Sequence, residues 1–299
     1  MKSRRGPALI IFILAASWAG AGRAAAAMPA PVLSSECAAL VAEQSALERE
    51  LFLYQDFFSK DPRLLKELRD SGRELGADTK KRLGGLVDGV FGARLDDLES
   101  RAAALADRYE ESYVLALLAF DRYKIEFEIK NDKRSSLLFL EKANELTRNA
   151  LRSAKKSADY YRLYGEIQNQ FIPLKGGVSV IYYSTEAKKA YQKALGLERD
   201  NARALLLLGI WNVFAPNIAG GSVVKALDLI RRARRSTDDP YLQFLTYVWE
   251  SLAQSNALKK AEAVAAAREA LAIAPNNTWA AWILQELQAG RRPLDSMQS

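Results

Sequence analysis

The chain offers acids but no histidine for chemistry, and that alone narrows what it can do. Its 299 residues hold 36 Asp and Glu, 43 Lys and Arg, and no His. Without imidazole there is no Ser-His-Asp or Cys-His nucleophile system and no zinc site built on histidine. Carboxylate pairs remain, and glycoside hydrolysis needs only two of them, one as acid and one as base or nucleophile. The adjacent acids are Asp96 with Asp97, Glu110 with Glu111, and Asp238 with Asp239. Each stands in a polar context that reads as solvated helix surface or loop. With no catalytic motif beside them, the chain reads as a binding protein and not an enzyme, with neither cofactor nor metal expected.

Two further groups invite a ligand. Phe171-Ile-Pro173-Leu-Lys-Gly176-Gly177 and Phe214-Ala-Pro216-Asn-Ile-Ala-Gly220-Gly221 are parallel segments whose Gly-Gly pairs stand 44 residues apart. A Gly-rich turn feeding a helix N-terminus can cradle an anion. No P-loop Lys-Ser/Thr and no dinucleotide spacing accompanies these, so the plainer reading is a tight turn closing a helical hairpin. Pro is expected to end the preceding helix and Gly-Gly to permit positive φ, with Ser222 capping the helix that follows. Arg231, Arg232, Arg234 and Arg235 crowd one helix end, where cations complement the dipole and Asp238 and Asp239 balance them. Asn276-Asn277-Thr278 is formally a glycosylation sequon, but capping the next helix is the simpler role.

The elements that position these residues are helices throughout. Residues 34 to 59 carry helical apolar spacing through Leu40, Leu47, Leu51 and Tyr54. Asp61-Pro62 opens another helix, with Pro in its first turn. The run from Gly84 to Gly92 is glycine-rich and reads as a loop or a close helix crossing. From Tyr109 onward small residues recur in register: Ala143-x3-Thr147-x2-Ala150, Ala187-x3-Tyr191-x2-Ala194, Ala226-x3-Ile230-x2-Ala233 and Ala263-x3-Ala267-x2-Ala270. The last three follow a candidate partner helix, marked by Tyr161-x2-Tyr164-Gly165, Leu205-x2-Leu208-Gly209 and, more weakly, Leu242-x2-Leu245-Thr246-x2-Trp249.

Over about residues 109 to 290 this pattern resembles the tetratricopeptide repeat (TPR) superfamily, in which helices A and B of each repeat pack closely at the small positions. Gly165 and Gly209 are 44 residues apart, against a usual period of about 34. The surplus falls twice between helices A and B, so both insertions emerge on one edge of the array. The expected architecture is an all-α, TPR-like helical-hairpin solenoid over residues 109 to 290. An irregular helical part over 28 to 108 precedes it and a flexible tail over 291 to 299 follows.

The resemblance also places ligands along the inward surface of the A helices. Carried onto this chain, that surface holds Arg162, Glu166, Asn169 and Gln170 in one repeat, then Leu206, Ile210 and Val213, then Gln243, Tyr247 and Glu250. Such a mixed lining suits a small apolar ligand or a protein segment. The helix from Asn201 to Phe214 is apolar on nearly all sides and must be covered all round, by a further layer of protein or beside a pocket. Trp211 and Phe214, with Tyr160, Tyr164, Tyr182, Tyr183 and Trp249, are the candidate lining of that pocket.

The first residues carry Lys2, Arg4 and Arg5, then an uncharged apolar run from Ala8 to Ala21 and an A-x-A site at Ala25-Ala26-Ala27. This is the layout of a secretory signal, too short for a comfortable bilayer span. A periplasmic or otherwise exported protein beginning near Met28 is expected, with membrane attachment only if the signal stays uncleaved. Removing residues 1 to 27 removes Lys2, Arg4, Arg5 and Arg23 and no acid, which takes the formal charge from +7 to +3. That argues against a nucleic-acid partner. Cys37, the only cysteine, follows Glu36 where acylation needs a small residue, so lipidation is not expected there. Over residues 158 to 235 the Gly-Gly insertion before a Lys-Ala-Leu helix is similar to the T component of tripartite ATP-independent periplasmic transporters. That likeness implies a hydrophobic cavity and a transporter partner. The alternative is a scaffold for cell-envelope assembly that binds a peptide segment.

Overall fold

The computed structural model describes residues 33–298 except 62, 65–66, 68–75 and 154–156, with the backbone alone at 59 and 296–298. The expected signal segment and Pro62 lie outside the described residues. Within them the chain folds as α1 (Ser35–Glu48), a π-helical turn (Arg49–Tyr54), a 3-10 turn (Asp56–Lys60), α2 (Ala77–Ala102) and α3 (Arg108–Lys124). Then come α4 (Lys133–Ala150), α5 (Ala158–Lys175), α6 (Ser179–Leu197), α7 (Ala202–Phe214) and α8 (Val223–Arg235). The last four are α9 (Pro240–Asn256), α10 (Lys260–Ile273), α11 (Thr278–Gln288) and α12 (Pro293–Gln298). Among the described residues there is no strand, and no helix is long and apolar enough to cross a membrane.

Helix starts follow from local chemistry. Asp107, Asp132, Asn201, Ser222, Asp239 and Asn277 each accept from first-turn amides of the helix that follows, satisfying donors that have no partner inside the helix. From α3 onward the helices pair as hairpins, α3 with α4, α5 with α6, α7 with α8 and α9 with α10. The recurring small residues explain how. Ala143, Thr147 and Ala150 are fully buried, as are Ala187, Ala194, Ala226, Ile230, Ala233, Ala263 and Ala270. A Cβ on Gly165 would sit 2.6 Å from Tyr191 and 3.0 Å from the Ala187 carbonyl. One on Gly209 would sit 2.9 Å from Ile230 and 3.3 Å from the Ala226 carbonyl. In the α5–α6 and α7–α8 hairpins the helices therefore touch where the A helix has no side chain, and with the repeated pairing this makes an all-α, TPR-like solenoid.

Three expectations about local structure need correction. The run from Gly84 to Gly92 is neither loop nor close crossing. It lies inside α2, where a Cβ on Gly85, Gly89 or Gly92 would meet nothing within 4 Å. Its helix is held by Leu83, Val87, Phe91, Leu95, Leu98 and Ala102, a stripe buried against Cys37, Leu40 and Leu47 of α1 and Val114 and Leu118 of α3. Pro173 does not end α5 but sits in its last turn, and the chain reverses at Gly176 and Gly177, both at positive φ. Residues 291 to 298 are not a loose tail: Leu294 on α12 is buried in the C-terminal core and Arg291 pairs with Glu286 at 2.5 Å.

The two insertions differ in build. In the second, Ala215 and Pro216 are extended, a 3-10 turn spans Asn217–Ala219, and Gly220 takes φ of 85°. Gly221 is required by crowding, since a Cβ there would lie 1.7 Å from the Ala215 carbonyl oxygen.

Candidate functional site

The A helices α3, α5, α7, α9 and α11 make the inner face, and the N-terminal segment runs across it. Ser34 gives its backbone amide to Glu110 Oε1 on α3 at 3.0 Å and its hydroxyl to Oε2. About three turns further along α3, Gln44 Nε2 donates to Asp121 Oδ2 at 2.6 Å. Glu48 meets Lys124 Nζ at 2.7 Å and the Arg203 guanidinium of α7 at 2.7 and 3.0 Å. Arg49 pairs with Asp239 at the start of α9, 2.9 Å away. Finally Asn277, at the start of α11, donates from Nδ2 to the Phe52 and Leu53 carbonyls at 2.9 and 3.0 Å. Gln55, in the left-handed region at φ of 54°, accepts from the Thr278 amide and hydroxyl.

This path explains the break in regularity after Glu48. A continuous α-helix would carry Leu53 away from the C-terminal repeats, whereas the π-helical turn sets it in their core beside Leu206, Val248 and Leu252. Residues 34 to 59 are thus helical as expected, but in three pieces. The inner face expected to be open is already filled by this segment.

The centre of the crossing is a buried charge network. Burial alone would lift the Glu48 pKa, yet Arg203 and then Lys124 hold it well below the usual carboxylate range. Asp121 is pushed the other way, by burial and then by Glu48, although Lys124 lies 2.6 Å from its Oδ1. Glu166 extends the network on α5: its Oε1 lies 3.5 Å from Arg203 and its Oε2 accepts from Arg162 at 2.9 Å. Arg162 also donates to the Tyr113 hydroxyl at 3.3 Å.

Each predicted site residue now has a place. Arg162 and Glu166 are buried in this network, and Asn169 follows them half-buried on α5. Tyr164 is half-buried with its phenol on Arg148. Leu206 and Val213 are core residues, with Ile210 packed against the same core. Trp211 is buried too: its Nε1 donates to Ser184 Oγ at 2.8 Å and Lys188 Nζ stands 4.1 Å from its ring centre. Gln243, Tyr247 and Glu250 are tied to α8 and its exit. Gln243 donates to the Thr237 carbonyl, Tyr247 is covered by Arg234 at 3.8 Å, and Glu250 takes Arg231 at 2.8 Å together with Arg234. Trp249 stacks edgewise between Phe214 and Trp279, while Phe214 and Tyr182 are exposed. The aromatics expected to ring a cavity therefore pack against one another and against helices. A surface recess does exist, lined by Glu43, Leu47, Arg94, Asp97 and Leu98 between α1 and α2, away from them.

Sequence reasoning missed Glu48, Lys124, Arg203, Asp121 and Asn277 as the residues that organise the inner face. It also read Glu110 as solvated, whereas Glu110 is buried and holds Ser34. Asp239 balances Arg49 and not the α8 arginines. The available signal was spacing: Asp121 and Lys124 lie three apart directly after the apolar run from Val114 to Phe120, where unpaired charge is costly and a partner is required. Cys37 is fully buried, and burial, then Glu110 and Asp107, push its thiol up to about 12. Among the described residues no group of three or more acids or Cys is placed to hold a metal.

Fold and inner face together define a helical-repeat protein whose groove contains a length of its own chain. No family model matches the sequence, and no curated relative does. Among solved structures it is similar to YrrB, described as a TPR protein with an unusual peptide-binding site. That match has 13% identity, spans 73% of this chain and 95% of YrrB, and has a TM-score of 0.36. The packing of Gly165 and Gly209, and not this likeness, is what defines the fold.

Proposed function

We propose that the protein is an exported TPR-type adaptor that holds a protein partner on its inner face in exchange for the segment that lies there, acting as a scaffold in the cell envelope. The observation that carries this is what the groove already holds. It grips residues 34 to 56 through main-chain groups, with Glu110 on the Ser34 amide and Asn277 on two successive carbonyls. It also seats one acidic side chain between Lys124 and Arg203. Any polypeptide offers such backbone groups, and an acidic helical segment offers the carboxylate as well. The signal-like layout of residues 1 to 27 supports export. A small apolar ligand, and with it a role beside a tripartite transporter, has less support because Leu206, Trp211 and Val213 are packed in the core.

The test is photocrosslinking in cells from position 54, where Tyr54 is 37% exposed at the segment's open side. A defined partner polypeptide joined at that position, on a processed chain in the periplasmic fraction, is the expected result. An unprocessed chain in the cytosol would overturn export. Crosslinks confined to the protein itself, together with a lipophile retained in native mass spectrometry, would favour the solute-transport role instead.

A further inference from the structure

We propose that the edge formed by the two inserted loops docks onto an anionic phospholipid bilayer. Six large apolar side chains stand exposed there: Val178 at 90%, Ile181 and Tyr182 in the first loop and the start of α6, Phe214 at the end of α7, Ile218 at 60% and Val224 at 80%. Apart from these, Tyr54, Leu138 and Leu258 are the exposed large apolar residues among those described. The concentration on one edge is therefore not the scatter a soluble surface ordinarily carries.

The two loops are joined in space. Trp211 of α7 bonds Ser184 of α6, one turn beyond Ile181. Lys188 lies over the Trp211 ring, and its ammonium is beside the second loop, 3.7 Å from where a Cβ on Gly220 would stand. Lys225 follows Val224 on α8 close enough that its charge, after burial, helps depress the Lys188 pKa. Among the described residues neither lysine is paired with a carboxylate. The edge thus presents apolar tips over unneutralised cations.

That combination selects the occupant. The most exposed tips, Val178, Val224 and Ile218, project from loops and helix starts and do not line a recess. A folded protein would need matching pockets for each, whereas fluid acyl chains accept convex apolar tips without them. Tyr182 and the lysine stems suit the headgroup layer, where amphipathic side chains keep a polar end in water. The exposed Lys225 ammonium, and that of Lys188 over the Trp211 ring, are not ion-paired with a described carboxylate and match anionic headgroups. This inference does not depend on export or on the inner-face partner.

Chain 28–299 contains every described residue and lacks the apolar signal that would itself bind lipid. It is sedimented with vesicles of phosphatidylcholine alone and of phosphatidylcholine with about a third phosphatidylglycerol. Binding to the anionic vesicles that weakens with added salt is expected. Ile218→Ser with Val224→Ser, both on exposed positions, should weaken it about tenfold or more with an unchanged melting temperature. Lys225→Gln should reduce the preference for anionic lipid. Wild-type protein left in the supernatant with both vesicle types would overturn the proposal. So would a double variant that sediments as well as wild type, and a protein crosslinked at Ile218 without any lipid binding would make the edge a protein interface instead.

Discussion

Arg203 on α7 grips Glu48 on α1 with both guanidinium arms, Nη2 to Oε1 at 2.7 Å and Nη1 to Oε2 at 3.0 Å, across 155 residues of sequence. Lys124 takes the same Oε1. Removing the carboxylate leaves the buried Lys124 and the half-buried Arg203 facing each other, so Glu48→Gln should cost about 3–5 kcal/mol. Urea denaturation of the variant checks this, and a loss below about 1 kcal/mol would place the network in water.

The same carboxylate gives a pH signature. Glu48 is held low in the folded chain, while in the unfolded chain a glutamate titrates near about 4.3. The unfolded chain therefore takes up the proton first, so the stabilisation is complete above that value and drains away as pH falls toward the folded one. Asp121, raised by burial, works the other way and favours the fold at lower pH. The stability gap between wild type and Glu48→Gln should shrink below pH about 4; a gap that stays constant from neutral pH down would assign the effect elsewhere.

Asn277 both caps α11 and holds the π-helical turn. Asn277→Ala should cost about 2 kcal/mol or more, a cap and two buried hydrogen bonds together. Hydrogen exchange locates the damage: amides around residues 49 to 56 should lose protection while those of α5 and α6 keep theirs. Equal loss everywhere would show that the segment does not open separately.

Trp211 belongs to the core. Trp211→Ala should destabilise by about 3–5 kcal/mol, and Trp211→Phe by about 1 kcal/mol, since it mainly loses the bond to Ser184. An alanine variant as stable as wild type would return Trp211 to an open pocket.

The glycines sort by neighbourhood. Gly165→Ala forces a methyl against Tyr191 and the Ala187 backbone and should cost about 1–3 kcal/mol. Gly89→Ala, on an open helix face, should stabilise by about 0.5–1 kcal/mol. Thermal melts of the two variants must shift in opposite directions.

The hairpins were legible because close helix contact demands small residues at fixed spacing: Ala226, Ile230 and Ala233 opposite Gly209 can be read without coordinates. The inner face was only half legible. Register alone put Arg162 and Glu166 near it, but what fills it depends on isolated pairs such as Glu48 with Arg203 and Ser34 with Glu110. Such pairs leave no periodic trace, because a single long-range contact repeats nowhere in the sequence. Trp211 misled for a different reason: an all-round apolar helix is compatible with a pocket or with dense packing, and only its neighbours decide.

A repeat array is ordinarily a chain of neighbours, each hairpin depending on the next alone. The segment from Ser34 to Gln55 abolishes that independence by reaching from Glu110 to Thr278. The earliest part of the described fold then cannot settle until the last hairpin exists to receive it. Completion is tied to the far end of the chain, and a molecule truncated before α11 would leave the Phe52 and Leu53 carbonyls and the Gln55 side chain without the partners that fasten them.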